Sequence, residues 1–311
     1  MKKLLLVAIV VLGVALATAG VAFADGGPHG GYTPTTDACA GCHRAHTASG
    51  PNLLIEASTY DLCISCHGNA GSGANTNVED GYYLSTRDNA AADEDVGALE
   101  TLDNAPLLGG GFVNYLGNPV TSSHDPDGSE TAAWGFGVNR GITADLTNGL
   151  TCAGCHDPHG SNNYRIMNEL INGIAVVSPV VDEGAAKDYD TEQWGAGTST
   201  ICAACHGAYH QTAAGQGSTD DNGTYTHRID MPYNYGGNAN PEAGWNGFSL
   251  PLAESGAGDN VVCMTCHLPH GTAVQMTGLA DSAGLPGETS ATDSALLRLD
   301  NRGVCEVCHQ K

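Results

Sequence analysis

The feature that most constrains this chain is a single motif, C-x-x-C-H, which occurs six times and uses all twelve cysteines. The cysteine pairs are Cys39 and Cys42, Cys63 and Cys66, Cys152 and Cys155, Cys202 and Cys205, Cys263 and Cys266, and Cys305 and Cys308. The histidines that follow them are His43, His67, His156, His206, His267 and His309. Two thiols at this spacing can bond to the two vinyl groups of one porphyrin, and the next histidine can then coordinate its iron. The pattern predicts six covalently attached haem c groups.

Three other uses of paired cysteines compete with this interpretation. An exported chain could join them as a disulfide framework. Two pairs could form a zinc site, and a single pair could act as a redox dithiol. None of these uses requires a histidine after every pair, whereas haem attachment does.

The seven other histidines supply the second axial ligands that six-coordinate irons need. They are His29, His46, His124, His159, His210, His227 and His270. Methionine, the common alternative ligand, occurs only five times in the chain, once as Met1. Two histidines on one iron are typical of low-spin electron-transfer haems. The supply of histidine therefore predicts six bis-histidine haems with one histidine to spare.

The order of the histidines indicates one unit used three times. Each unit has an upstream histidine, then C-x-x-C-H-x-x-H, then a second C-x-x-C-H. The upstream and following histidines are His29 and His46 in the first unit, His124 and His159 in the second, and His227 and His270 in the third. The predicted dihaem units are residues 25–105, 106–211 and 212–311. His210 lies outside the repeat, and we predict that it is not a ligand.

The histidine three residues after each first motif cannot bind the same iron as the motif histidine. On a short helix, residues three apart point toward one face, so they cannot lie on opposite sides of one porphyrin. The simplest expectation is that His46 caps the haem of His67, His159 that of His206, and His270 that of His309. The upstream histidines then cap the first haem of a unit, in the same unit, a neighbouring unit or another subunit.

The N-terminus predicts export. Lys2 and Lys3 precede an apolar run from Leu4 to Ala17, and Ala22-Phe23-Ala24 forms an A-x-A cleavage site. This is the pattern of a secretory signal peptide over residues 1–24. The alternative is an uncleaved membrane anchor, since the segment from Leu4 to Ala24 nearly has the length of a bilayer span. We expect a periplasmic or extracellular protein without a membrane span in the mature chain.

Composition predicts little regular structure. The chain has 43 glycines, only 6% aromatic residues and a net charge of −23, which excludes nucleic-acid and anionic-membrane binding. With so little apolar volume, the haem faces must form much of the core. The predicted fold is mostly coil with short helices and few short strands, organised around stacked haems. Residues 68–95 and 215–247 are typical of loops, and residues 174–181 predict a short strand or hairpin.

Two acidic stretches offer a further cation hypothesis. Asp93-Glu94-Asp95 and Asp125-Pro126-Asp127 carry carboxylates that calcium could bind. Neither stretch has a complete ligand series, so solvated acidic loops are the favoured interpretation.

The repeated spacing resembles the doubled-CXXCH family of multihaem cytochromes. The segments that carry it run from Cys39 to His46, from Cys152 to Gly160 and from Cys263 to Gly271, and the stretch from Leu296 to Cys305 is also similar. The first unit departs by having Ala45 where the others have Pro158 and Pro269. The resemblance implies an exported bacterial or archaeal electron carrier with stacked bis-histidine haems. Some related cytochromes polymerise into extracellular filaments.

Three functions remain open from the sequence. The chain could be a soluble electron carrier, a subunit of a conductive filament, or a multihaem reductase. A reductase needs an iron with an open coordination position, and here the ligands suffice for every haem, so we expect an electron-transfer protein and not an enzyme. Its partners would be redox proteins or extracellular electron acceptors. In the filament hypothesis, His29 on its Gly-rich tail could bind a haem of the next molecule, giving head-to-tail assembly.

Overall fold

A computed structural model describes residues 29, 37–71, 74, 76–84, 106–131, 133, 149–161, 163–176, 196–210, 227–233, 241, 244–253, 260–280 and 294–310. The predicted signal peptide, the acidic stretch at residues 93–95 and residues 177–181 lie outside these ranges. Within them, no helix has the length and apolar composition that a membrane crossing requires.

The helices of the described residues are short and carry the C-x-x-C-H motifs. They are α1 (Asp37–Ala40), α2 (Thr59–His67), α3 (Cys152–Cys155), α4 (Ser199–His206), α5 (Cys263–Cys266) and α6 (Gly303–His309). The first motif of each unit has a helix of four residues, whereas the second motif lies on a helix of seven to nine residues. Among the described residues, 3₁₀ turns lie at Pro51–Leu53, Tyr164–Ile166, Ala196–Thr198, Gly207–Tyr209, Gly278–Ala280 and Asp300–Arg302.

The assumption that one helix runs through both histidines of C-x-x-C-H-x-x-H is wrong. Helices α3 and α5 end at the second cysteine, and His156 and His267 that follow have extended backbones, with φ of −109° and −118°. In the first unit, His43 pairs with Leu54 in a single antiparallel bridge. The motif histidine therefore points away from the helix that carries its cysteines, and the next histidine lies on a separate turn.

The strands form five two-stranded antiparallel sheets within the described ranges. Their pairs are β1 (Thr76–Asn77) with β2 (Tyr82–Tyr83), β3 (Asn114–Tyr115) with β4 (Asn118–Pro119), β5 (Ser122–Ser123) with β10 (Gly271–Thr272), β6 (Leu170–Ile171) with β7 (Ile174–Ala175), and β8 (Met231–Pro232) with β9 (Asn260–Val261). The predicted strand at Ile174 exists, and its partner is the segment before it. The fold is mostly coil with short helices and short strands, as predicted.

The hairpin of β1 and β2 was not expected, because residues 68–95 have loop composition. Asn77 is fully buried, and its side-chain amide donates to Asp80 Oδ2 at 2.9 Å while its carbonyl accepts from the Glu79 and Asp80 amides. Asn114 donates to the other oxygen of Asp80 at 2.7 Å. These hydrogen bonds supplement a small apolar cluster of Tyr83, Leu107 and Val78, which is why a segment with so many polar residues can form a hairpin.

The second and third predicted units share a main-chain ladder. Strand β5 precedes His124 and strand β10 follows His270, and the His124 amide donates to the His270 carbonyl at 3.1 Å. Gly110 approaches the same ladder with φ of +81°, and a Cβ at this position would collide with the carbonyl oxygen of Gly271. The chain order thus brings the upstream histidine of one unit beside the following histidine of the next.

Apolar packing is confined to small clusters. One contains Leu250, Met276, Leu297, Val304 and Val307; a second contains Ile171, Val176 and Ala204; a third contains Met231, Leu252 and Val261. The first cluster receives Val304 and Val307 from helix α6, and the second receives Ala204 from helix α4. Both helices carry the second motif of their unit, so each cluster fixes a helix that presents two cysteines and a histidine.

Replacing Gly110 with Ala is predicted to destabilise the protein more than replacing Gly117 with Ala. Both glycines have left-handed backbones, with φ of +81° and +79°, but only Gly110 has main-chain atoms where the Cβ would lie. The left-handed conformation alone costs about 1 kcal/mol, and overpacking adds about 1–3 kcal/mol. Thermal unfolding of the two variants measures the difference. Equal melting temperatures would contradict the close approach of Gly110 to β10.

Candidate functional site

Ten of the thirteen histidines lie opposite one another in five pairs, with angles between the ring planes that range from 12° to 75°. The pairs and the distances between their ring centres are His29 and His67 at 6.1 Å, His43 and His159 at 6.2 Å, His124 and His206 at 6.1 Å, His156 and His270 at 6.4 Å, and His227 and His309 at 6.4 Å. Each pair joins one motif histidine to one histidine outside the motifs.

The separation within the pairs is the one that two imidazoles on a single metal ion require. A first-row metal lies about 2 Å from an imidazole nitrogen, and the ring centre lies about 1.1 Å behind that nitrogen, so two opposed rings are about 6.2 Å apart. Rings in direct contact lie closer, as Phe112 and His270 do at 4.6 Å. The residues therefore fit a haem iron between the rings of each pair.

In seven of the histidines, Nδ1 has a hydrogen-bond partner in the protein, which leaves Nε2 available to a metal ion. The Nδ1 atoms of His29, His43, His124, His156, His227 and His267 contact the carbonyls of Pro158, Asn52, Pro269, Arg165, Arg228 and Ala295, at 2.6–3.0 Å. That of His67 contacts the Thr76 hydroxyl at 2.7 Å. A carbonyl can only accept, so Nδ1 of the six histidines that contact one carries the proton and Nε2 keeps its lone pair, which is the tautomer that binds a metal through Nε2.

Burial keeps several of these imidazoles neutral. It lowers the pKa of His156 and of His267, although the hydrogen bonds to Arg165 and Ala295 oppose this effect. It lowers the pKa of His270 to about 3, with a smaller contribution from nearby His156. A neutral imidazole is the form that binds a metal, so the site favours the ligand state over the cation.

The pairing differs from the one expected from chain order. His159 faces His43 and not His206, and His270 faces His156 and not His309. The upstream histidines face the second motif of their own unit, since His29, His124 and His227 lie opposite His67, His206 and His309. The expectation failed because it took the nearest haem along the chain, whereas extended backbone and strand pairing bring neighbouring units together.

Two histidines of the repeat have no facing histidine among the described residues. His267, the first motif histidine of the third unit, hydrogen-bonds Ala295 through Nδ1 at 2.8 Å. His46, the following histidine of the first unit, is exposed on a turn. In the pairs above, the following histidine of one unit lies opposite the first motif histidine of the preceding unit, as His159 does with His43 and His270 with His156. This pairing rule leaves His46 of the first unit and His267 of the third without a partner histidine among the described residues.

The cysteines of consecutive motifs are neighbours. The Cys63 and Cys152 thiols are hydrogen-bonded, as are those of Cys202 and Cys263. Burial and nearby Cys205 raise the pKa of Cys155 to about 11. Burial, Cys308 and Cys305 likewise raise the pKa of Cys266 to about 12. Burial, followed by nearby Cys66, raises the pKa of Cys42. The six motifs thus follow one another in space in the order of the sequence.

His210 and the acidic stretch near His124 have other contacts. His210 Nε2 lies 2.6 Å from Asp230 Oδ2, and this hydrogen bond raises the pKa of His210 despite its partial burial. A nitrogen engaged in this way does not face a second histidine. Asp127 accepts a hydrogen bond from the Ser129 amide at 2.8 Å, which lowers the pKa of its carboxyl together with the Ser129 side chain.

Comparisons with known proteins identify the motif. Residues 33–72 match the family model described as the doubled CXXCH motif. The chain contains six C-x-x-C-H motifs, which indicate covalently bound haem c, and together with this match they support the class of multihaem c-type cytochromes. Among solved structures, the chain is similar to one titled Outer Membrane Cytochrome S Filament from Geobacter Sulfurreducens, with 19% identity, a TM-score of 0.45, and coverage of 93% of this chain and 100% of that one. A comparison with curated proteins finds no match.

Asp230→Asn is predicted to destabilise the protein at low pH and to have a smaller effect at high pH. The pKa of His210 is raised in the folded state, so its stabilisation is fully present below the ordinary value of 6.5 and is lost as pH rises through the folded-state pKa. Melting temperatures at about pH 5.5 and about pH 8.5 measure this difference.

The control for this experiment is Asp127→Asn. The pKa of Asp127 is lowered from 3.8, so its stabilisation is present above that value and is the same at both pH values. If Asp230→Asn lowered the melting temperature equally at both pH values, the pair would not contain a titrating histidine.

Proposed function

We propose that this protein is a hexahaem c-type cytochrome that carries electrons outside the cytoplasm as a subunit of a filament. The observation that carries the proposal is the set of five histidine pairs at metal-bridging distance, with His267 and His46 left over at opposite ends of the series. The proposed thioether residues are the twelve cysteines of the motifs. The proposed axial ligands are His43, His67, His156, His206, His267 and His309, with His29, His46, His124, His159, His227 and His270 opposite them.

Two axial imidazoles on every iron favour electron transfer over catalysis. Haem c supplies a reversible one-electron centre, and its reactivity depends on whether a coordination position is open. The paired histidines would hold both axial positions of a bound haem, so they would exclude a substrate or oxygen from its iron. Their Nδ1 hydrogen bonds fix the rings in place, which limits the rearrangement that accompanies a change in charge.

The order of the cysteines supports a single path through the molecule. Cysteines of each motif adjoin those of the next, from the motif at Cys39 to that at Cys305. Porphyrins attached there would adjoin each other at the edges that carry the thioether bonds. Electrons would then enter at one end of the chain and leave at the other, through the proposed units at residues 25–105, 106–211 and 212–311.

The pairing rule supplies the argument for assembly. The following histidine of each unit faces the first motif histidine of the preceding unit, as His159 faces His43 and His270 faces His156. Continued by one unit, the rule places His46 opposite His267 of another molecule. This contact would join different surfaces of the two copies, and repeated without closing into a ring it would generate a filament. His29 faces His67 within its own chain and does not make this contact.

Export through the predicted signal peptide at residues 1–24 belongs to the same proposal. Covalent haem attachment and an extracellular or periplasmic location suit an acidic chain whose partners are redox proteins or electron acceptors. The alternative, a soluble monomeric carrier, requires that the haem of His267 obtain its second ligand without another copy of the chain. The net charge of −23 opposes self-association at low salt, so assembly should strengthen as salt screens it.

His159→Ala is predicted to convert one haem from low-spin to high-spin, whereas His210→Ala leaves all six low-spin. His159 faces His43 at 6.2 Å, while His210 is engaged with Asp230. EPR and optical spectra report the spin state, and intact mass verifies that both variants carry six haems. A low-spin spectrum for His159→Ala would contradict the proposed pairing.

His46→Ala is predicted to abolish filaments and to leave one haem per molecule high-spin. The exposed His46 ring is the ligand that the rule assigns to His267 of the next copy, so its loss removes both the contact and the ligand. Electron microscopy and EPR of the variant, the unaltered protein and His210→Ala test this at several salt concentrations. An unaltered protein that is monomeric at every salt concentration, with six low-spin haems, would establish the soluble carrier instead.

A further inference from the structure

We infer that the Thr76 hydroxyl tunes the reduction potential of the haem attached at Cys63 and Cys66, by accepting a hydrogen bond from the axial ligand His67. The inference rests on the ligation proposed above. It concerns one side chain outside the motifs, which coordinates nothing itself and acts through the imidazole.

The contact between Thr76 and His67 is short and chemically distinct. Thr76 Oγ1 lies 2.7 Å from His67 Nδ1. The corresponding nitrogens of His29, His43, His124, His156, His227 and His267 contact main-chain carbonyls. With Nε2 on the iron, Nδ1 of His67 must carry the proton, so the hydroxyl oxygen accepts it. Thr76 is therefore the acceptor in this group that a substitution can delete.

The hairpin holds Thr76 in this position. Thr76 in β1 pairs with Tyr83 in β2, and the Val78 amide donates to the His67 carbonyl at 2.8 Å. The next residue, Asn77, is fully buried and hydrogen-bonded to Asp80. The backbone that carries the Thr76 hydroxyl is thus hydrogen-bonded to the end of helix α2. This contact fixes the position of the hydroxyl relative to the His67 ring.

The hydrogen bond affects the oxidised and reduced states unequally. Donation from Nδ1 gives the imidazole partial anionic character and raises its basicity at Nε2. A more basic ligand stabilises ferric over ferrous iron, which lowers the reduction potential. Deleting the acceptor while keeping the ring in place should therefore raise the potential of this haem and leave the other five unchanged.

The adjacent His156 and His270 pair shows the contrasting environment within the same molecule. Nδ1 of His270 is buried without a hydrogen-bond partner, and the ring is held by Phe112 at 4.6 Å. Packing alone can thus hold an axial ring here, so loss of the Thr76 acceptor need not displace His67.

The experiment compares Thr76→Val with Thr76→Ser in the full, haem-loaded protein. Valine keeps the β-branched shape and strand preference of threonine but lacks the acceptor, whereas serine keeps the acceptor and loses the methyl group. A spectroelectrochemical titration follows all six haems, and the difference from the unaltered protein isolates the component that moves. We expect one of six components of Thr76→Val to become about tenfold easier to reduce, a shift of about 59 mV for one electron, and Thr76→Ser to match the unaltered protein.

Spectra and mass separate failure of this inference from failure of the proposed function. Six haems that remain low-spin in Thr76→Val, with a titration identical to that of the unaltered protein, would overturn the role of Thr76 and leave the ligation intact. An unaltered protein with fewer than six haems, or with a high-spin haem at His67, would overturn the ligation itself. A shift of equal size in Thr76→Ser would assign the effect to packing and also overturn the inference.

Discussion

The placement of two imidazoles at the separation that a shared metal ion requires is the constraint on which the rest of this structure depends. The chain has few aromatic residues, and the apolar clusters formed by the described residues contain two to five buried residues each. What recurs instead is a pair of histidine rings with a gap of 6.1–6.4 Å. Short helices carry the cysteines, and carbonyls of turns and irregular segments contact most of the ring nitrogens, so the local structure serves mainly to position these rings.

The repeat explains how so few regular elements suffice. In two places a histidine of one unit hydrogen-bonds through Nδ1 to a main-chain carbonyl of the next unit, from His29 to Pro158 and from His124 to Pro269. The same units exchange ring contacts in the opposite direction, from His159 to His43 and from His270 to His156. The interface between neighbouring units therefore contains contacts in both directions. Such an interface needs no large apolar surface, and this suits a chain with a net charge of −23.

The residue types of the site could be predicted from the sequence, but which histidines lie opposite one another could not. The sequence shows local and numerical features, namely the cysteine spacing, the surplus of histidines and the position of His210 outside the repeat. In the structure, His210 contacts Asp230. The pairing of His159 with His43 was missed because it depends on the extended backbone after the helix and on a neighbouring unit. The hairpin at Thr76 was missed for a related reason. It is stabilised by Asp80 and Asn114, polar residues far apart in the sequence, and hydrophobic periodicity carries no signal of such a network.

The exchange of histidines between units has a consequence for how the protein is made. A chain exported as proposed crosses the membrane with its N-terminus first. The cysteines of the first motif would then be available for haem attachment before His159 has crossed the membrane. With the proposed pairing, the first haem then waits for its second ligand until the following unit arrives. The same holds for His156 and the later His270. Maturation would pass through intermediates with incompletely coordinated irons, and the last open position, at His267, would close only after the chain leaves the apparatus that made it.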